Sequence, residues 1–326
     1  MSLGLAERYT VGLRSLAVYA GAGNSFALAS EHLKKYCGLD ISHMTIRELC
    51  RREAPKIDAW YRKSLEVQRG FLKAPGNVEV TMDGVIVNTI KGPKEVKVGL
   101  ISKRKRGEGV PPEQWGNRTR LELPALETSI AFAAVENKET FQERFAYWRS
   151  WLRLGAKEDI SALGDGAAWI WNIVREVFGT IKECLDVYHG LEHVSDTGKV
   201  LYGDGTAEFK KWYAEATLEF VESGFTMIEK RLDRLEQEER SDKEKEALRS
   251  LRGYLENNRE RLCYCKRLAE GRAIGSGQIE GACKHLIGKR LKQTWAEWKE
   301  DRLDQMAILC ALRYSSQWEK YWNQAK

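Results

Sequence analysis

The chain has 326 residues, of which 43% are hydrophobic and 31% charged, and its formal net charge is +6. That composition is neither disordered nor fibrous, and the length allows about two domains and a sizeable core. No run approaches the roughly 18 uninterrupted apolar residues of a membrane span, and seven cysteines without a Cys-x-x-Cys pair suggest neither a disulfide framework nor a zinc ribbon. The opening MSLGLAERYT lacks the basic-then-apolar layout of a secretion signal, so an intracellular, cytoplasmic protein with reduced thiols is expected. The mild basic excess favours a polyanionic partner.

Residues 1–72 read as helical. An amphipathic stretch from Ser25 ends near Gly38, and Ser42 can cap a second helix, His43 to Arg52, with Ile46 and Leu49 buried. Two short helices around a Gly-containing turn form a helix-turn-helix pattern, and Arg47, Arg51 and Arg52 on the second suit phosphate contacts. A generic helical hairpin is the plainer reading of the same residues. From Asn77 the period becomes alternating: Val78, Val80 and Met82 against Glu79, Thr81 and Asp83, broken at Asp83-Gly84 before Val85–Val87. A second strand spans Glu95–Ser102 after the Gly92-Pro93 turn, and a third Thr128–Val135. The basic loop Lys103–Gly107 lies between them.

A helix over Lys138–Leu154 follows, then a short strand ending at the acidic turn Gly164-Asp165-Gly166. After it come a helix, Ala167–Phe178, and an apolar strand, Ile181–Tyr188. From His189 to Ala269 the chain reads almost wholly as helix, with the charge run Arg231–Arg252 a solvated face. Gly271–Gly277 is a loop, and the helices Gln278–Lys292 and Leu303–Trp318 close the chain. Three strands, then strands alternating with helices, indicate a mixed α/β sheet covered by helices.

Three acids stand where a core would not place them. Asp83 and Asp165 are expected at strand ends beside glycines, and Glu280 one turn into the helix after Ile274–Gly277. Strand ends are where α/β sheets build sites. Carboxylates suit hard divalent cations, and a pair of such ions about 3.5–4 Å apart can drive phosphodiester chemistry. Each acid also has an ordinary reading: Asp83-Gly84 as a hairpin turn, Asp165 as a helix cap, Glu280 as a surface residue paired with Lys284.

It is at these acids that the sequence resembles a family. The segment Leu163–Trp171, LGDGAAWIW, looks like the second-aspartate motif of DDE-type insertion-sequence transposases of the Kra type. Leu185–His193, LDVYHGLEH, is similar to the strand and helix start that follow it there. Ala273–Lys284, AIGSGQIEGACK, resembles the block holding their catalytic glutamate, and Lys289–Gln293 and Leu312–Trp318 fit as well. The similarity runs from about Asp83 to the end of the chain. It implies an RNase H-like core with a helical insertion before the glutamate, and a catalytic, metal-holding triad of Asp83, Asp165 and Glu280. It also implies two Mg2+ or Mn2+ ions and double-stranded DNA as partner and substrate. Asp186 and His189 match an Asp-x-x-His pattern of the related Mutator-like superfamily, which implies a supporting role. The sequence departs from the family at Trp295, where glycine is common, and in lacking the longer N-terminal region, often with metal-binding cysteines.

Independently of that resemblance, Arg272, Lys284, Lys289, Arg290 and Lys292 flank Glu280 closely, and a cationic rim around an acidic pocket would hold phosphates. The organisation expected is a helical, DNA-binding region over 1–73 and a catalytic core over 74–193. A helical insertion over 194–272 follows, and the core's last helices over 273–326. The function expected is metal-dependent DNA cleavage and strand transfer at the ends of an insertion sequence, by a nucleoid-associated enzyme that dimerises on DNA. A repurposed, non-catalytic DNA-binding relative and a nuclease that cuts without joining are the alternatives.

Overall fold

A computed structural model describes residues 9–115, 123–155, 157–293 and 296–324. Trp295 lies outside the described residues. The chain opens with four helices: α1 (Val11–Gly23), α2 (Phe26–Cys37), α3 (His43–Lys63) and α4 (Leu65–Lys73). Ser25 and Ser42 accept hydrogen bonds from Leu28 N and Thr45 N and so cap α2 and α3, and Gly38 takes the left-handed conformation that ends α2.

The second helix does not stop near Arg52. Its buried stripe, Ile46, Leu49, Ile57 and Tyr61, keeps helical spacing on both sides of an exposed Pro55, so packing carries α3 through a residue that lacks an N–H. α3 and α1 lie against a helix near the end of the chain, α15 (Glu300–Tyr314), and Tyr61 Oη is 2.9 Å from Ser315 Oγ. The N-terminal helices are therefore packed into the same core as the C-terminal ones.

The centre is one five-stranded sheet. Its strands are β1 (Asn77–Thr89), β2 (Gly92–Arg104), β3 (Leu126–Ala134), β4 (Ile160–Gly164) and β5 (Lys182–Leu185). They lie in the order β3-β2-β1-β4-β5, the first three antiparallel and the last two parallel to β1. Three points correct the sequence reading. β1 runs on through Asp83-Gly84, and the hairpin turn lies at Ile90-Lys91. Lys103 and Arg104 belong to β2 rather than to a loop, with the Lys103 Nζ 3.0 Å from the Ala74 carbonyl and Arg104 paired to Glu79. The last strand is short, because Asp186 accepts from Tyr188 N and His189 N and so starts a helix there.

Helices cover both faces. In chain order they are α5 (Pro112–Trp115), α6 (Lys138–Trp151), α7 (Ala168–Phe178) and α8 (Val187–Tyr202). The helical stretch continues with α9 (Ala207–Ser223), α10 (Phe225–Glu236), α11 (Asp242–Asn257) and α12 (Tyr264–Ala269). Then α13 (Gly277–Ala282) passes into a π-helical segment, Cys283–Gly288, before α14 (Lys289–Leu291), α15 and α16 (Trp318–Gln324). Among the described residues no helix is long and apolar enough to cross a membrane.

Candidate active site

The sheet register brings three of the predicted acids to one level. Thr81 pairs with Leu163 and Leu163 with Cys184, forming a row across β1, β4 and β5. Two residues further along each strand stand Asp83, Asp165 and Asp186, and the alternation of side chains carries them to the same face as that row. Asp83 lies inside a 13-residue strand, not at its end. What ends beside it is β4, whose pairing with β1 stops at Thr81, so no strand pairs with the β4-facing edge of β1 from Met82 until Trp298 bridges to Thr89.

Glu280 reaches this face from α13, which packs on β1 and β2. The connection is specific: Gln278 Nε2 donates to Ser102 Oγ at 2.7 Å, and the Cys283 thiol lies 3.6 Å from Asp83 Oδ2. The segment before α13 is clamped by Asp186, which is wholly buried. One of its oxygens accepts from Tyr188 N (2.6 Å) and His189 N (3.3 Å), and the other accepts from Ser276 N. A single carboxylate thus fixes the start of α8 and the loop leading to Glu280. Gly275 is needed for that approach, since a Cβ there would stand 2.9 Å from the Tyr188 ring.

Asp165 follows β4 directly, and its Oδ1 accepts from Ala167 N at 2.9 Å. Its backbone carbonyl accepts from the Tyr254 hydroxyl at 3.2 Å, and Gly166, at φ 95°, has no room for a side chain against that same hydroxyl. Glu280 makes no ion pair with Lys284 among the described residues, so its surface-pair reading is not realised. Nor is Asp83 a turn residue, since it pairs with Val98 in the ladder.

The acids sense one another. Burial raises the pKa of the Asp83 carboxyl, and the Asp165 charge raises it further, while the Gly84 N–H and the His189 imidazole oppose the shift. Burial raises that of Glu280, with Asp186, Asp83 and Glu192 adding to the shift and His189 opposing it. His189 Nδ1 itself lies 3.2 Å from Glu192 Oε2 on the exposed side of α8. Among the described residues, no group of three or more His, Cys, Asp or Glu side chains stands close enough to hold a metal ion as placed. The two facts are compatible, because repulsion reaches farther than the about 2.0–2.6 Å at which oxygens bind a divalent cation.

The basic residues divide. Lys284, Lys289 and Lys292 are exposed. Arg272 and Arg290, expected as DNA contacts, are 4% and 3% exposed. Arg272 pairs with Asp159 and Glu270, and Arg290 donates to the Gly21 carbonyl at 2.8 Å. In the N-terminal region Arg51 and Arg52 both bind Glu48, leaving Arg47 as the exposed cation of that trio. Lys105 and Arg106 pair with Glu127 and Asp159. Sequence reasoning missed Tyr254, Gln278 and Cys283, whose partners lie far away in the chain. No family model matches this sequence, and no curated protein matches it.

Proposed function

We propose that this chain is a DDE-type transposase that cuts and joins DNA with an RNase H-like core. The observation that carries the reading is the shared row of Asp83 and Asp165 with Glu280 brought onto the same face, each raising or feeling the charge of another. The strand order, an antiparallel trio continued by two parallel strands, supports the fold reading. The donor set suits Mg2+ or Mn2+: the facing oxygens are carboxylates, and the imidazole of His189 is the basic group that opposes their repulsion.

Asp83, Asp165 and Glu280 would hold the ions. A bound pair supplies activation of the attacking oxygen and stabilisation of the leaving oxygen of a phosphodiester. The chain's own contribution is position. The sheet fixes Asp83 and Asp165, and Asp186 sets where α13 begins and therefore where Glu280 points. Lys284, Lys289 and Lys292 on the following segment would hold phosphates of the strand being cut. Two DNA ends would be processed by a homodimer.

The test is cleavage of double-stranded DNA taken from the flanks of the coding region, with Mn2+ present. Wild type is expected to nick at the element ends and give strand-transfer products. Asp165→Ala is expected to be at least about 10^3-fold slower, several kcal/mol of transition-state stabilisation at about 1.36 kcal/mol per tenfold. Equal rates for both proteins would sink the reading, and nicking without joined products would leave a nuclease. A second reading, a DNA-binding relative without catalysis, is favoured by the absence of a ready-made metal cage among the described residues. It predicts sequence-dependent binding with no nicking by wild type.

A further inference from the structure

We propose that the cavity of about 370 Å3 between the end of α1, the π-helical segment and the end of α15 is a phosphate-binding site. His285, Lys289, Arg290 and Arg313 line it together with Tyr19 and Gly23, and among the described residues no acidic one does. Gathering four basic groups around one hollow is unfavourable unless an anion compensates them. Elsewhere this chain meets that need internally: Arg104 has Glu79, Arg144 has Glu136, Arg231 has Glu219 and Arg261 has Glu183. None of His285, Lys289, Arg290 and Arg313 has a carboxylate partner among the described residues.

Two of these groups are held in place without being neutralised. Arg290 is 3% exposed and spends its Nε on the Gly21 carbonyl, with its guanidinium 4.7 Å from the Phe26 ring and 5.0 Å from the Trp298 ring. Its Nη2 has no hydrogen-bond partner. Arg313 lies 4.2 Å over the Tyr19 ring, in a space left by Gly23, where a Cβ would stand 2.1 Å from the guanidinium. Low-dielectric walls lined by one sign of charge focus a potential that attracts a counter-ion. A tetrahedral phosphate oxyanion matches the guanidinium and ammonium donors.

The cavity is a near neighbour of the acids. Tyr314 also lines it, and burial with the adjacent Cys283 thiol raises the pKa of that phenol. Cys283 in turn touches Asp83. A phosphate of a DNA strand seated here would lie one side chain behind the carboxylates. That choice of source rests on the proposed function, whereas the phosphate chemistry rests on the cavity alone. Free inorganic phosphate is the other source.

The experiment uses the full chain in EDTA, so that its outcome does not depend on cleavage. Anisotropy of a labelled DNA duplex is titrated at several salt concentrations, and thermal unfolding is followed with and without millimolar inorganic phosphate. The variants are Lys289→Gln/Arg313→Gln and Gly23→Ala. The second displaces only the flexible end of Arg313 and leaves a good helix former, so its fold is secure.

If DNA is the source, the double variant binds about tenfold more weakly and its log K against log salt slope flattens by about 2, at about 0.9 per lost contact. Gly23→Ala shifts both in the same direction by about half as much, with an unchanged melting temperature. If phosphate stabilises wild type but neither variant, while DNA affinity stays equal, the site holds and its ligand is the free ion. Wild-type DNA affinity and slope in both variants, with no phosphate stabilisation beyond that of chloride at equal ionic strength, overturns the site. That failure would leave the acids untouched, because they are tested by nicking with Mn2+.

Discussion

The helical stretch from α8 to α12 and the acidic end of the sheet handle charge in opposite ways. In the helices the charges are matched. Arg231 binds Glu219 at 2.7 Å, Arg240 binds Glu244 at 3.1 Å, and Arg252 bridges Asp233 and Glu236 across α10 and α11. At the sheet end Asp83, Asp165 and Glu280 lie on one face of the sheet with no lysine or arginine paired to them among the described residues. Paired charges serve the fold and cost little. Like charges left together weaken it, and a molecule keeps such an arrangement where a ligand is to supply the missing sign.

The contrast can be broken most forcefully at Asp186, the acid of the sheet-end row whose bonds are structural. Asp186→Ala would leave the N–H groups of Tyr188, His189 and Ser276 without their acceptor, the first two half-buried and the last buried. A loss of about 3 kcal/mol or more is expected in denaturant unfolding, at about 1–3 kcal/mol per buried unsatisfied group. A loss under about 1 kcal/mol would show that the clamp is not what sets the loop before Glu280. Next in size is Mn2+, which should stabilise wild type by about 2.7 kcal/mol at about 100 times its dissociation constant. Asp83→Asn should lose most of that gain, and an equal gain in both proteins would remove Asp83 from the metal site.

The pH dependence sharpens the same contrast. Asp83 and Glu280 titrate above their ordinary values of 3.8 and 4.5, so the folded state keeps protons that the unfolded chain has released. Their effect is to lower stability as pH rises through those values toward the raised folded ones, and Asp83→Asn should recover about 0.5–1 kcal/mol at neutral pH. Glu48, held down to about 2 by Arg51 and Arg52, acts with the opposite sign: its contribution is present above 4.5 and is lost as pH falls toward 2. Unfolding curves against pH should therefore meet wild type at the acid end and part from it toward neutral pH in opposite directions, Asp83→Asn above wild type and Glu48→Gln below it.

Much of the frame was legible in the sequence, because alternation in β1 and the turn Gly164-Asp165-Gly166 are local signals. What was not legible is long-range. Asp83-Gly84 reads as a break, yet Gly84 is the position where a strand passes beneath the Glu95 side chain, so the ladder continues. Arg272 and Arg290 look like surface cations until Asp159 and the Gly21 carbonyl claim them. Cys283 and Tyr254 reach Asp83 and Asp165 across 200 and 89 residues, and no period or spacing encodes that. The cavity of unpaired cations was invisible for the same reason: it joins α1, the π-helical segment and α15.

The smallest expected effect is the sharpest control on the comparison. Arg252 pairs with Asp233 at 2.8 Å and Glu236 at 2.9 Å, and its side chain is only 20% exposed, whereas those carboxylates are 56% and 36% exposed. Water already solvates the partners, so Arg252→Gln should cost about 0.5 kcal/mol, or about 1 °C in melting temperature, and less in high salt. The substitution keeps a long stem over the α10–α11 seam, where Leu232, Leu248 and Leu251 carry the packing. Nicking and DNA affinity should stay at wild-type values, measured with the same duplex and Mn2+. A variant this mild in stability that nonetheless slowed nicking would mean that the matched charges of the helical stretch also serve the reaction, and the division between the two regions would fail.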